Sequence, residues 1–200
     1  LNPSRILWVA ATAREAAVVP PGNRVVVSGV GAASAALRLG LALQRQPADL
    51  VVGVGVAGAF PASGLVLGQV VAVASEAFMD LGAEDGDRHL DLWSLGFDPG
   101  HPSRYELRIP DACADLVAVR AGTCSLCTGT ESTRRLREEA GFQLESMEGA
   151  AWAMACWQQG VPFCELRSIS NFCGPRDRLA WRLDDALLSL KRHLEESWVI

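Results

Sequence analysis

Two short stretches carry side chains whose types and spacing suit chemistry: Glu145-Ser146-Met147-Glu148-Gly149-Ala150-Ala151 and Arg167-Ser168-Ile169-Ser170-Asn171. Glu148 falls in the first turn of a helix expected over 147–159, where the positive end of the helix dipole favours an ionised carboxylate by about 0.3–1 kcal/mol. Ionised, it is an acceptor-only fork matched to two adjacent sugar hydroxyls, and its charge stabilises a cation forming at the anomeric carbon. The bland reading, a helix N-terminal glutamate facing water, fits the motif equally well when it stands alone. Glu145 is read as the solvated one of the two acids.

Asn171 matters through its polarity. A carboxamide presents an acceptor beside a donor, and a 6-oxopurine protonated at N7 presents the reverse pattern. Adenine turns an amino group toward the amide NH2, and a mismatched buried polar pair costs roughly 1–3 kcal/mol, so Asn171 should favour hypoxanthine or guanine by about tenfold to a hundredfold. Glu165 and Arg167 share one face of an expected strand by the two-residue repeat. A mutual ion pair is the simplest role for both. The functional alternative has Arg167 helping to position a reacting water.

The elements that must hold these groups follow from the apolar runs. Residues 6–11, 25–28, 50–54, 68–74, 117–126 and 163–169 read as strands, and several lack alternation, which implies cover on both faces. Helices are expected over 32–44, with Leu37 and Leu41 on its packing face, over 131–140, over 147–159 with Ser146 as N-cap, and over 179–195, with a short one over 111–116. The stretch 76–110 is loop-rich and holds the acidic run Glu84-Asp85-Gly86-Asp87. Strands interleaved with helices predict an α/β fold, a three-layer sandwich with a central mixed β-sheet flanked by helices, as a single domain over 1–200.

Composition bounds the function. A chain of 200 residues, 50% hydrophobic and 20% charged, is long enough for a buried core without staples. Its net charge of −5, with Lys191 the only lysine, argues against a nucleic-acid backbone as partner. Residues 50–75 carry no charge, yet their repeated glycines and Pro61 fit strand and loop rather than a membrane helix. The 6–11 run soon meets Arg14 and Glu15, a poor secretory signal, so the cytoplasm is expected. The six cysteines read as reduced, packed thiols, and Cys124-Ser125-Leu126-Cys127, a lone CxxC, is read as structural rather than as a metal or redox site.

Gly53-Val54-Gly55-Val56-Ala57-Gly58 matches the dinucleotide fingerprint by letter, but loop rather than helix follows it. Gly29-Val30-Gly31 does precede a helix but lacks the third glycine and the ribose-binding acid. No cofactor and no metal are expected. Such glycines let a ligand lie close against backbone.

Taken together, Val27-Ser28-Gly29-Val30-Gly31, Gly55-Val56-Ala57-Gly58-Ala59-Phe60, Asp80-Leu81-Gly82-Ala83-Glu84, Ser146-Met147-Glu148-Gly149-Ala150-Ala151 and Arg167-Ser168-Ile169-Ser170-Asn171, with Gly174-Pro175-Arg176-Asp177 and Trp181, resemble the nucleoside phosphorylase and nucleosidase superfamily, most closely its futalosine hydrolases. The resemblance spans nearly the whole chain. It implies hydrolysis of the N-ribosyl bond of futalosine, with release of hypoxanthine, in a route to menaquinone. It also implies Glu15 as the water-activating acid, Met147 and Glu148 on the ribose, and Asn171 where methylthioadenosine nucleosidases carry aspartate. Trp181 would cover the ligand, Gly58 would line it, and Phe172 and Arg176 with Arg178 would meet an aromatic carboxylate at C5′. A homo-oligomer is implied too. Val56 replaces a serine that holds the water in the methylthioadenosine nucleosidases, and the phosphorylases' phosphate ligands have no match, which favours water as acceptor. The alternatives are a methylthioadenosine/adenosylhomocysteine nucleosidase, a purine nucleoside phosphorylase and a non-catalytic nucleoside binder.

Overall fold

The computed structural model describes residues 5–86 and 88–198; Asp87 of the acidic run and both chain ends lie outside them. Among the described residues the strands and α-helices run in the order β1 Ile6–Ala10, α1 Ala13–Ala16, β2 Arg24–Val27, α2 Ala32–Arg45, β3 Leu50–Ala59, β4 Val70–Phe78, β5 Gly82–Asp85, β6 Arg88–Asp91, β7 Tyr105–Glu106, β8 Val117–Thr123, α3 Glu131–Glu139, β9 Leu144–Ser146, α4 Gly149–Gln159, β10 Phe163–Phe172 and α5 Leu183–Ser197. The strands are buried along most of their length: every residue of the apolar β1 is buried, as are the first eight of β10, Glu165 and Arg167 included.

The mixed sheet with flanking helices is present, but it is not the open layer of a three-layer sandwich. β3 pairs parallel with β10, β10 antiparallel with β4, β4 parallel with β8, β8 parallel with β9, and β9 antiparallel with β3 again. These five strands close a ring. β1 and then β2 extend from β3 as a parallel wing, and β5 and β6 form a separate hairpin. A buried cluster drawn from all five ring strands, Ala57, Ala59, Val71, Val73, Val119, Ala121, Leu144 and Ile169 among it, fills the ring. Two further clusters pack α5 against one face of β1 and β3, and α2 and α4 against the other.

Several expectations are corrected. α2 buries Ala35, Leu39 and Leu43, while Leu37 and Leu41 are exposed. Both stripes recur every four residues, and the smaller Ala35 allows the closer approach to α4. Ser146 ends β9 and is not the N-cap residue, although its Oγ accepts the Gly149 N–H at 3.3 Å; α4 starts at Gly149 with Glu148 as its N-cap residue. β3, β4 and β10 all run past their expected ends, so Asn171 lies within a strand and Glu76 within β4 rather than in a loop. The closing helix begins at Leu183, after a short 3-10 turn over Arg178–Ala180. Among the described residues no helix is long and apolar enough to cross a membrane.

Candidate active site

β3 changes partner midway along one edge. It pairs with β1 as far as Gly53 and with β9 from Gly58 onward. Between them the ladder is open, and buried backbone groups there need other partners. At Val56 they come from side chains: its N–H donates to Glu15 Oε1 at 3.1 Å, and its carbonyl accepts from Arg167 Nη1, also at 3.1 Å. The gap in the sheet thus gathers an acid from α1 and an arginine from β10. Gly55 makes the approach possible, because a Cβ there would lie 2.6 Å from Glu15 Oε1 and 2.7 Å from Arg167 Nη1.

Glu15 is held from its own side as well. Thr12-Ala13-Arg14-Glu15 forms a capping box: Thr12 Oγ1 and the Thr12 N–H both donate to Glu15 Oε2, at 2.8 and 3.1 Å, while the Glu15 N–H donates back to Thr12 Oγ1. The pattern Thr-x-x-Glu was available in the sequence as the signal for this turn. Oε1 keeps a lone pair beyond the one used by Val56.

Glu148 reaches the same place. Its Oε2 lies 3.9 Å from Arg167 Nη1, and its Oε1 accepts the Gly31 N–H at 3.0 Å. Gly31 precedes α2 with φ +90°, a left-handed conformation open to glycine, which turns its N–H out toward the acid. That contact explains Gly29-Val30-Gly31 without a dinucleotide. Burial raises the Glu148 pKa; Arg167 and the Gly31 N–H oppose the rise, and Glu15 and Glu165 add to it. Met147, half-buried, sits between Ser146 and Glu148.

Arg167 is fully buried and donates through Nε to Glu165 Oε1 at 2.6 Å, so the expected ion pair is made. The same guanidinium also serves Val56 and faces Glu148, and it stacks over the Trp152 ring 5.0 Å from its centroid. Burial opposes its charge, yet Glu165, Glu148 and Glu15 together raise its pKa.

Asn171 stands further along the same two strands, opposite Gly58. Ser170 is an extra residue in β10 there, and the resulting bulge re-aims the side chain that follows. Ser170 Oγ donates to Asn171 Oδ1 at 2.8 Å and Asn171 Nδ2 donates to the Phe172 carbonyl at 3.2 Å, leaving one lone pair and one hydrogen of the amide unused. Asn171 makes no hydrogen bond to Glu15, Arg167 or Glu148. The Arg182 N–H donates to the Ser170 carbonyl at 2.8 Å and so ties the 174–182 segment beside Asn171. On that segment the Arg176 guanidinium lies 5.3 Å from the Trp181 ring centroid. Trp181 and Phe172 are both exposed, and among the described residues no hydrogen bond or ion pair joins Phe172, Arg176 or Trp181 to Glu15, Arg167 or Glu148.

Glu145 corrects the sequence reading. It is buried, not solvated, and accepts from Thr128 N at 3.0 Å, Thr128 Oγ1 at 2.6 Å and Arg137 Nη1 at 2.8 Å. The CxxC pair gathers at the same acid: ligand atoms of Cys124, Cys127 and Glu145 lie within 4.8 Å of one another. Arg137 and Thr128 already engage the carboxylate a cation would need, which opposes a metal there. Cys127 is exposed while the other five cysteines are buried, and all are free thiols.

A family model described as the phosphorylase superfamily matches residues 21–196. The chain is 39% identical to a futalosine hydrolase of Streptomyces coelicolor over 86% of this chain and 77% of that protein. It is 35% identical to the futalosine hydrolase of Thermus thermophilus over 82% and 76%. Its fold superposes on the native structure of futalosine hydrolase from Helicobacter pylori with a TM-score of 0.80 at 19% identity, covering 98% of this chain and 97% of that one. With the match running from before α2 to the end of α5, the chain belongs to the phosphorylase superfamily.

Proposed function

We propose that this chain hydrolyses the N-ribosyl bond of futalosine, releasing hypoxanthine and dehypoxanthine futalosine. The observation that carries the reading is the open edge of β3, where Glu15, Arg167 and Glu148 meet around Val56. The likeness to futalosine hydrolases supports the substrate. In this account the bond to N9 stretches until the ribose is cation-like, and Glu148 holds the 2′ and 3′ hydroxyls while its charge stabilises that cation. Glu15, through the spare lone pair of Oε1, takes a proton from the attacking water. Arg167 keeps the two acids apart and orients that water. Asn171 pairs with N7–H and O6 of the departing base through the two positions its own hydrogen bonds leave free. An amide does not deliver a proton at neutral pH, so N7 takes its proton by way of water, which supplies the N7–H that Asn171 accepts. Gly58 and Met147 flank the ligand, Trp181 covers it, and Phe172 and Arg176 meet the C5′ substituent. A homo-oligomer in the cytoplasm, with a small nucleoside as partner, completes the proposal.

The test is incubation of purified protein with futalosine, inosine and methylthioadenosine, each with and without phosphate. Release of hypoxanthine from futalosine, independent of phosphate, is expected. Adenine release from methylthioadenosine alone would assign the nucleosidase activity instead, phosphate dependence a phosphorylase, and binding without any released base a non-catalytic relative.

A further inference from the structure

A second acid lies behind Arg167. Glu76 on β4 is fully buried, as is Glu165 on β10, and both turn one oxygen onto Gly149 at the start of α4. A Cβ on Gly149 would collide with Glu76 Oε1 and sit 2.7 Å from Glu165 Oε1, so the two carboxyl groups share one small space that glycine leaves open. Two ionised carboxyls cannot stay so close away from water unless a cation serves both. Arg167 serves one: its Nε donates to Glu165 Oε1. The Glu76 carboxyl meets only neutral donors, Thr123 Oγ1 at 3.1 Å from Oε2 and the Ala77 N–H, and Glu76 Oε1 has no hydrogen-bond partner among the described residues.

We propose that Glu76 is a carboxylic acid at neutral pH, its proton on Oε1 facing the Glu165 carboxylate, and that this neutral acid is a positioning residue that keeps Arg167 aimed at Val56 and Glu148. The role in turnover rests on the function proposed above; the protonation state does not. The charged groups facing Glu76 are Glu165 and Arg167 from β10, with Thr123 from β8 as its hydroxyl donor and only Gly149 from α4. Burial, then the Glu165 charge, pushes the Glu76 carboxyl well above the usual carboxylate range, against the smaller pull of Arg167. Were Glu76 ionised, its charge would compete with Glu148 and Val56 for Arg167. With the acid neutral, Glu165 anchors one side of the guanidinium and Nη1 remains free for the other.

Infrared difference spectra of the wild type and Glu76→Gln in D2O at neutral pH read the proton directly. The expected result is a carboxylic-acid C=O stretch in the wild type that is absent from Glu76→Gln; spectra without such a band would overturn the assignment whether or not the protein cleaves futalosine. For positioning, Glu76→Gln keeps a neutral donor and Glu76→Leu does not. Glu76→Leu should lower kcat by on the order of 10²-fold with KM little changed, the cost of a misplaced site group, and Glu76→Gln should rescue it. Equal loss in both variants, or in neither, would refute the positioning role.

Discussion

Glu15 and Arg167 take the two backbone groups of one residue: Val56 gives its N–H to the glutamate and its carbonyl to the arginine, each at 3.1 Å. Those groups would belong to a neighbouring strand if β1 or β9 ran along the whole edge of β3. The sheet is incomplete where the proposed chemistry lies, and side chains of opposite charge replace the missing ladder. That substitution fixes the acid and the arginine relative to each other without a direct bond between them.

Glu15→Gln separates chemistry from architecture. Glutamine closes the capping box through its carbonyl oxygen, so α1 should hold, but its NH2 then meets the Val56 N–H and the protein should lose about 1–3 kcal/mol of stability. Loss of the base should lower kcat by about 10²–10⁴-fold with ligand binding retained. Single-turnover assays beside a binding titration check this, and wild-type turnover would remove Glu15 from the mechanism.

The base preference is carried by Asn171 in this account. Asn171→Asp exchanges the donor for an acceptor and should move the ratio of kcat/KM toward adenine-containing substrates by about tenfold to a hundredfold. Competition between inosine and adenosine cores measures it. An unchanged ratio would mean that the purine is read elsewhere.

In the proposed mechanism Glu148 works ionised, and burial raises its pKa from the ordinary 4.5. Protonation therefore sets in at a higher pH than for an exposed carboxylate, and kcat/KM should fall as pH drops through that raised value. Removing the opposing charge with Arg167→Met should carry the acid limb higher still. A pH profile whose acid limb stays put in that variant would contradict the coupling. The sign for stability is opposite: a folded-state pKa above the unfolded one contributes stability fully present below the unfolded pKa and lost as pH rises through the folded one.

Arg137→Ala leaves Glu145 buried without its cation, with neutral donors such as Thr128 and Cys124 still bonded to it. Breaking such a pair costs about 3–5 kcal/mol, readable by urea unfolding at neutral pH. A loss below about 1 kcal/mol would return Glu145 to the solvated role that its sequence context suggests.

That contrast shows where the sequence was legible. Uncharged apolar runs announce β1 and β3, because burial on both faces leaves a mark in every residue. Glu148 and Asn171 stood out through residue type and neighbours. What did not show was set by distant partners. Glu145 and Glu148 look alike in their motif, and only Arg137 and Thr128 on one side and Gly31 on the other tell them apart. β9 has three residues and owes its existence to β3 and β8, so the segment read as the lead into a helix. Ring closure depends on pairings that leave no local signature. In α2 two stripes share one spacing, and the choice belongs to α4 across the interface.

The most direct measurement is a crystal structure of Glu15→Gln soaked with futalosine. The account requires one bound molecule with its 2′ and 3′ hydroxyls on the Glu148 carboxylate and its N7 and O6 on the Asn171 amide. A ligand that touches one of the two residues and leaves the other facing a separate cavity would contradict it.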